Sequence, residues 1–106
     1  MEKKLNVGER LIILQVLPKE GNFTTLRLIR DLAAKIGLSA DELVEFDLQQ
    51  DGDRIKWNDA GQEERAFDLK LKEVEIIMAE LQKLDNESKL EFRHFSIFEK
   101  FSEEEK

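Results

Sequence analysis

Residues 46–59 read FDLQQDGDRIKWND, and the pattern in this stretch decides how the chain around it is interpreted. Apolar and polar residues alternate on both sides of the central DGD. Alternation with a period of two around an Asp-Gly pair is the strongest short-range signal of a β-hairpin. The stretch therefore predicts two short strands joined by a type I′ turn, in which Asp51 and Gly52 supply the positive φ angles.

The same stretch contains four aspartates, which also makes it a candidate calcium-binding loop. If Asp47 takes the first position of an EF-hand loop, Asp51 and Gly52 fall at the fifth and sixth positions, which suit a ligand and a glycine. Asn58 then falls at the twelfth position, where such a loop needs a glutamate that binds through both oxygens. Because that glutamate is missing and the flanks alternate like strands, the hairpin is favoured and no metal is predicted.

The first helix is predicted from a capping box in which Asn6 is followed three residues later by Glu9. Residues 10–17, RLIILQVL, are apolar on nearly every side, which indicates a helix buried between other elements. Pro18 cannot continue this helix and ends it.

A second and a third helix follow before the hairpin. Thr24 or Thr25 is the predicted cap of the second, TLRLIRDLAAKIG, and Gly37 is predicted to end it in a left-handed conformation. Ser39 and Glu42 form a second capping box, which predicts the short third helix SADELVEF.

A long helix is predicted after the hairpin. Residues 58–66 form a polar loop, and residues 66–70 are either a short strand or the approach to the helix. The pattern turns helical from about Leu69, with one apolar stripe made of Leu71, Val74, Ile77, Met78, Leu81 and Leu84. Ile76 lies outside the stripe, and residues 85–88, DNES, end the helix.

The last segment, residues 89–101, contains four of the seven phenylalanines of the chain. On a helical projection Phe92 and Phe95 point away from the cluster formed by Leu90, His94, Ile97, Phe98 and Phe101. One face cannot bury all of these rings. Either the segment packs fully onto the amino-terminal helices or some rings contact another chain. The residues predicted for such an interface are Ile76, Met78, Phe92, Phe95, Phe98 and Phe101.

The pieces LNVGERLIILQVLPKEGNFTTLRLIRDL, IKWN and HFSIFEKF resemble a group of small proteins encoded by tailed phages and prophages. The resemblance covers most of the chain and implies a phage context without an assigned activity. The order of helix, helix, short helix and hairpin over residues 6–58 also resembles a winged-helix domain, in which the hairpin is the wing. The helix in the recognition position, SADELVEF, has no basic residue, and the wing tip carries Asp51 and Asp53, so both would repel phosphate.

Together these patterns predict an α+β, mostly helical fold. Residues 1–68 form a winged-helix-like domain of helices plus the hairpin, and residues 69–106 add a long helix and a carboxyl-terminal helix. These last helices pack on the first domain or mediate association, and residues 102–106 form an acidic tail. The chain lacks cysteine and has no apolar run near the roughly 20 residues that span a bilayer, so a cytoplasmic protein without membrane contact is predicted.

The net charge of −7 is distributed unevenly. Residues 1–38 contain seven basic and four acidic residues, whereas residues 39–66 contain three basic and nine acidic residues. This balance disfavours nucleic acid as a partner but leaves a local basic face as an alternative. The residues of that face are Lys3, Lys4, Arg10, Arg27 and Arg30. A second alternative is an acidic surface that imitates phosphates, made of Asp41, Glu42, Glu45, Asp47, Asp51 and Asp53.

No catalytic constellation is visible. The single histidine, His94, lies among phenylalanines without a serine, cysteine or acid at a relay spacing, and the five glycines do not form a phosphate loop. We therefore predict that the protein is not an enzyme and uses no cofactor. The favoured function is protein binding through the carboxyl-terminal apolar helices, with another protein or a second copy as partner. The alternatives are a DNA-binding winged-helix regulator and an acidic inhibitor of a host nucleic-acid-binding protein.

Overall fold

The computed structural model describes residues 2–102, and within them the chain forms five α-helices, four β-strands and one 3-10 helix. Their order is β1 (Glu2–Leu5), α1 (Val7–Val16), α2 (Phe23–Ile36), α3 (Ala40–Glu45), β2 (Gln49–Asp51), β3 (Arg54–Lys56), the 3-10 helix (Asp59–Gln62), β4 (Arg65–Asp68), α4 (Leu71–Asn86) and α5 (Phe92–Ser102). The predicted α+β, mostly helical class is confirmed. The acidic tail predicted at residues 102–106 lies, apart from Ser102, outside the described residues.

The hairpin is confirmed, but its turn is shifted by one residue. Strands β2 and β3 are antiparallel with Asp51 opposite Arg54, so Gly52 and Asp53 are the two turn residues. Gly52 has a φ of +63°, whereas neither Asp51 nor Asp53 has a positive φ. A positive φ at the first turn residue alone is typical of a type II′ turn, so the predicted type I′ turn at Asp51-Gly52 is wrong.

A second small sheet joins the two ends of the region before α4. Strand β1 pairs antiparallel with β4, and Lys3 lies opposite Phe67. The strand expected as one alternative at residues 66–70 therefore exists, as Arg65–Asp68. Its partner β1 was not predicted, because the pairing connects segments about sixty residues apart and leaves no local signal.

Both predicted capping boxes are confirmed. The Asn6 side chain accepts a hydrogen bond from the Glu9 backbone N–H at 2.9 Å, and the Glu9 carboxylate accepts one from the Asn6 N–H at 3.0 Å. Ser39 and Glu42 exchange the same pair of bonds at the start of α3. These boxes are local in sequence, so spacing alone identified them.

The predicted ends of α2 are wrong in detail. Its cap is Asn22, whose side chain accepts a hydrogen bond from the Thr25 N–H at 2.8 Å, and neither Thr24 nor Thr25 takes that position. Gly37 ends the helix with extended backbone, φ −63° and ψ 153°, and not in the left-handed region. A Cβ on Gly37 would lie 2.7 Å from the Ala33 carbonyl oxygen, so close approach is what requires glycine here.

One hydrophobic core contains residues from both predicted parts of the chain, 1–68 and 69–106. Three residues of the predicted α4 stripe, Val74, Ile77 and Leu81, are buried in it. Leu71, which was also assigned to the stripe, is exposed. The full buried cluster consists of Leu5, Ile13, Leu17, Leu32, Ile36, Leu69, Val74, Ile77, Leu81, Ile97 and Phe101.

The side chain of Arg10 is buried where α1, the end of α2 and α3 meet, with 2% of its area exposed. Its Nε donates to the Ile36 carbonyl at 2.8 Å, and Nη2 donates to the Gly37 carbonyl at 2.9 Å. Both terminal nitrogens also donate to the Glu42 carboxylate, at 2.8 and 2.9 Å. The guanidinium carbon lies 4.8 Å from the centre of the Phe67 ring. One arginine thus satisfies helix-end carbonyls and fixes α3 against α1.

Glu73 is a second buried charge, and it joins α2 to α4. Its Oε1 accepts hydrogen bonds from the Lys70 backbone N–H at 2.8 Å and from the Lys35 ammonium at 2.7 Å. The first bond satisfies a backbone donor at the start of α4, and the second pairs the buried carboxylate with a cation. The position of α2 against α4 is therefore set by an ion pair as well as by apolar packing.

Trp57 fixes the exposed hairpin to the body of the protein. A Cβ on Gly61 would lie 2.4 Å from Cδ1 of the indole, and a Cβ on Gly8 would lie 3.3 Å from its Cζ2. The ring is therefore in close contact with α1 on one side and with the 3-10 helix on the other. Asn58 adds a hydrogen bond from its side-chain amide to the Glu45 carbonyl at 3.0 Å.

We expect Arg10→Met to lower the free energy of unfolding by about 3–5 kcal/mol, because removing one partner leaves the Glu42 carboxylate and two helix-end carbonyls poorly satisfied. Urea unfolding followed by circular dichroism measures this loss. Arg30→Met is the matched control, since Arg30 is exposed and has only a 3.4 Å contact with Asp31; it should cost less than about 1 kcal/mol. Equal losses in the two variants would contradict the account of Arg10.

Gly61→Ala should lower the free energy of unfolding by about 1–3 kcal/mol, because the added methyl group overlaps the Trp57 ring. Trp57 is the only tryptophan in the chain, so its fluorescence reports the displacement directly. Gly21→Ala is the control, because a Cβ there meets only the Thr25 side chain at 3.4 Å. An unchanged emission spectrum and stability for Gly61→Ala would show that the close contact is not present in solution.

Candidate functional site

Two phenylalanine rings project into solvent from the start of α5. Phe92 is 96% exposed and Phe95 is 60% exposed. They are three residues apart and so share one side of the helix, while Ile97 and Phe101 on the opposite side lie in the core. The helical projection predicted this separation of Phe92 and Phe95 from the buried cluster.

The other residues predicted for the interface pack inside the chain. Phe101 is 1% exposed and belongs to the core, and the Lys3 ammonium lies 5.0 Å from the centre of its ring. Ile76, Met78 and Phe98 are half-buried against the same core. The apolar surface presented by this part of the chain is therefore concentrated at Phe92 and Phe95.

Three cavities surround the start of α5 and share residues with one another. The apolar cavity has a volume of 210 Å³ and is lined by Leu90, Glu91, Phe92 and Phe95. The charged cavity has a volume of 310 Å³ and is lined by Gln15, Val16, Glu80, Lys83, Leu84, Lys89, Glu91, Arg93 and His94. The hairpin groove has a volume of 180 Å³ and is lined by Gly8, Leu11, Ile12, Gln15, Asp53, Ile55, Trp57 and Arg93.

Glu91 lines both the apolar and the charged cavity, and Gln15 and Arg93 line both the charged cavity and the hairpin groove. Arg93 Nη1 donates a hydrogen bond to the Gln15 side chain at 3.1 Å. This pair of side chains lies between the charged cavity and the hairpin groove. We call Leu90, Phe92, Phe95 and these three cavities the α5 surface. A separate depression of 360 Å³ lies between α2 and α4 and includes Ile76.

Polar contacts hold α5 in a fixed position against the rest of the fold. The Lys100 ammonium donates to the Glu9 carboxylate at 2.7 Å, to the Lys4 carbonyl at 2.8 Å and to the Glu64 carboxylate. Ser96 donates to the other oxygen of Glu9 at 2.8 Å. Burial lowers the pKa of Lys100, but its bonds to Glu64 and Glu9 outweigh burial and raise the pKa overall. The α5 surface is therefore presented by a helix that is anchored on its other side.

His94 caps the beginning of α5. Its Nδ1 accepts a hydrogen bond from the Glu91 backbone N–H at 3.0 Å, and the His94 backbone N–H donates to the Glu91 carbonyl at 2.9 Å. The imidazole thus takes the part that a glutamate or glutamine takes at the third position of a helix in a capping box. Sequence reasoning placed His94 in a packed or interfacial setting and missed this role, although its position three residues after Glu91 is the spacing of that motif.

Only the neutral imidazole can accept this bond. Burial is the main cause that lowers the pKa of His94, and the positive charge of Arg93 lowers it further, while Glu91 acts in the opposite direction. The other charged groups around the same cavity are Glu80 and Lys83 on α4 and Lys89 before α5. His94 is therefore held neutral at pH 7, with its proton on Nε2.

The predicted basic face does not form. Arg10 is buried against Glu42, as described above, and Lys3 is buried with its ammonium 2.7 Å from the Lys100 carbonyl oxygen. This assignment is corrected, because two of its five residues are used inside the fold and cannot reach a phosphate. Lys4, Arg27 and Arg30 are exposed.

Three of the six residues of the predicted acidic face, Glu42, Glu45 and Asp51, are paired with cations. Glu42 binds Arg10 and Arg65, and its hydrogen bond from Arg10 is the main cause that lowers its pKa to about 2. Glu45 also pairs with Arg65. Asp51 pairs with Lys56, and the Asp47 carboxylate accepts hydrogen bonds from Gln49. Glu42 in particular is a structural carboxylate, so its assignment to a phosphate-like surface is corrected. Asp41 and Asp53 remain exposed.

Comparisons of the chain with protein-family models, with curated proteins and with solved structures found no match. The resemblances to small phage proteins and to winged-helix domains therefore stay predictions from the sequence. No helix among residues 2–102 has the length and apolar character needed to cross a membrane. Within the same residues, no three histidine or carboxylate side chains are grouped so that they could hold a metal ion.

We expect acid to weaken the fold through His94. Because the pKa of His94 in the folded chain lies below its ordinary value of 6.5, the unfolded chain binds more protons between these two values. The free energy of unfolding should therefore fall as the pH drops below about 6.5. Urea unfolding at pH 7.5 and pH 5.5 measures this loss.

His94→Gln is the control for that measurement, because glutamine keeps an acceptor for the Glu91 N–H but does not titrate. This variant should lose less stability than the native chain between the two pH values. His94→Leu, which removes the acceptor, should lose about 1 kcal/mol or more at pH 7.5. Identical pH dependence in the native chain and His94→Gln would contradict the role assigned to the imidazole.

Proposed function

We propose that the protein is a non-catalytic protein-binding module whose contact site is the α5 surface. The observation that carries this proposal is the exposure of Phe92 and Phe95 on one side of an anchored helix, beside a cavity that both rings line. Full burial of one such ring is worth about 1.5–3 kcal/mol. Aromatic anchors next to a pocket are the features that dominate protein–protein affinity.

The arrangement of charge supports a binding role over catalysis. Two of the buried ionic groups, Arg10 and Glu9, are engaged in contacts between helices. His94 uses Nδ1 to cap α5 and stays neutral, so the only histidine of the chain serves a structural bond. A general base needs a free acceptor within reach of substrate, and this nitrogen is already occupied.

The net charge of −7 favours a different protein over a second copy as the partner. Two copies would carry the same charge into the contact, which opposes association at long range. A homodimer is the alternative outcome, and light scattering distinguishes it. The phage or prophage context is part of the proposal and is supported by the sequence resemblance alone.

The test compares the native chain with the double variant Phe92→Ser, Phe95→Ser. Both rings are exposed, so the free energy of unfolding should change by less than about 0.5 kcal/mol. Binding of a partner should weaken at least about thirtyfold, which corresponds to the loss of one strong anchor of 2 kcal/mol. Tagged proteins are used to capture partners from the cells that express the chain, and the captured amounts are compared by quantitative mass spectrometry.

Phe23→Ser is the matched control, because Phe23 is 78% exposed at the start of α2, outside the α5 surface. A partner retained by the native chain and Phe23→Ser but lost by the double variant supports the proposal. Light scattering of the same three proteins shows whether the partner is a second copy. If all three capture the same proteins in the same amounts and all are monomeric, the α5 surface is not the binding site.

A further inference from the structure

The charged cavity is lined by ionic side chains, which have no part in protein binding through the two phenylalanine rings. Its walls carry three cationic side chains, Lys83, Lys89 and Arg93, and two carboxylates, Glu80 and Glu91. Each cation has a carboxylate neighbour at the surface: Glu80 lies 3.9 Å from Lys83, Glu91 lies 3.3 Å from Arg93, and Glu87 lies 3.5 Å from Lys89. Such exposed pairs are weak and can exchange partners. The lining therefore has one more cation than carboxylate, at the surface of a chain whose net charge is −7. A local positive site on an acidic protein attracts an anion and disfavours a cation.

His94 adds a directed hydrogen-bond donor to this cavity. The side chain is 4% exposed and lines the cavity, and its Nδ1 is occupied by the Glu91 N–H. In the neutral ring the proton lies on Nε2, and this atom has no hydrogen-bond partner among residues 2–102. Among residues 2–102, Glu73 Oε2 is the only fully buried side-chain nitrogen or oxygen that lacks a hydrogen-bond partner. Because Nε2 of His94 also lacks a partner, it is not fully buried, and we assign its access to solvent to the cavity that His94 lines.

We propose that the charged cavity is a carboxylate-binding site. The Nε2–H of His94 donates to one carboxylate oxygen. Lys83 on α4 and Arg93 on α5, which pair with Glu80 and Glu91 in the structure, turn to the bound anion and neutralise its charge. Val16 and Leu84 line the same cavity and offer apolar contact to a short aliphatic group. A volume of 310 Å³ is at the lower end of the range for small-ligand sites, which suits a small organic acid or a single acidic side chain.

The same carboxylate can come from two sources. One is a free short-chain carboxylic acid, and the other is an acidic residue of a protein segment that also reaches the apolar cavity beside Phe95. Glu91 lines both cavities, so a single segment can span them. The site itself does not depend on the protein-binding proposal, because a free acid can occupy it in the isolated chain.

The imidazole of His94 is the only one in the chain, so its NMR signals report on this cavity without ambiguity. The first probe is butanoate, and butanamide of nearly the same shape without charge is its control. We expect a saturable shift of the His94 ring signals with butanoate and at least about fivefold weaker binding of butanamide, because hydrogen bonds to charged groups are the stronger ones. Bound butanoate should also raise the pKa of His94, since a nearby negative charge favours the imidazolium.

Lys83→Gln and Arg93→Gln should each weaken butanoate binding at least about fivefold, because each removes one charge that contacts the anion. Lys72→Gln is the matched control on α4, as Lys72 is exposed and does not line this cavity. Lys72→Gln should bind like the native chain. Equal affinities for all variants, or equal shifts with butanoate and butanamide, would overturn the proposal.

The second probe is the peptide acetyl-Leu-Ala-Asp-amide, tested on the native chain and on Phe95→Ser. A segment that spans both cavities binds more tightly than butanoate and is weakened by Phe95→Ser, whereas butanoate binding is unaffected by that change. Either a free acid or the peptide supports the carboxylate site. If neither probe shifts the His94 signals in a saturable way, the cavity is not a carboxylate site. That result would not contradict the protein-binding proposal, which is tested independently by partner capture.

Discussion

The guanidinium of Arg10 is the constraint on which the arrangement of the amino-terminal half depends. Burying a cation is costly unless each donor finds an acceptor, and here the acceptors come from the end of α2 and from Glu42 on α3. The two carbonyls at the end of α2 need Arg10 in turn, because helix-end carbonyls have no partner within their own helix. The same carboxylate caps α3, so one set of bonds fixes both the angle and the start of that helix.

The same principle extends to the carboxyl-terminal half and explains what is left outside. Glu73 joins α2 to α4, and Lys100 with Glu9 joins α5 to α1. The ionic groups between the helices are therefore used internally and are not part of a phosphate-binding or phosphate-like face. What the fold presents at the start of α5 is different, since two phenylalanine rings face solvent next to the charged cavity. A rigid scaffold that presents apolar rings is suited to binding, because little conformational entropy is lost on contact.

Local features of the fold could be predicted from sequence, and contacts between distant segments could not. The capping boxes at Asn6 and Ser39 and the hairpin depend on residues within a few positions of one another. The turn type was wrong because alternation does not fix the strand register to one residue. The pairing of β1 with β4 and the burial of Arg10 depend on partners more than twenty-five residues away, and composition suggests an exposed arginine. For the site, helical spacing predicted that Phe92 and Phe95 lie away from the core. The capping role of His94 was not predicted.

The central claim, that the start of α5 is the surface this protein uses to bind a partner, can be tested most directly by photo-crosslinking. Phe95→p-benzoylphenylalanine places a photoreactive ring at the centre of the α5 surface, and the same replacement of Phe23 places one on α2 as a reference. On irradiation of expressing cells, the account predicts one discrete crosslinked product from position 95 and none of comparable yield from position 23. A discrete product from position 23 together with no product from position 95 would contradict it.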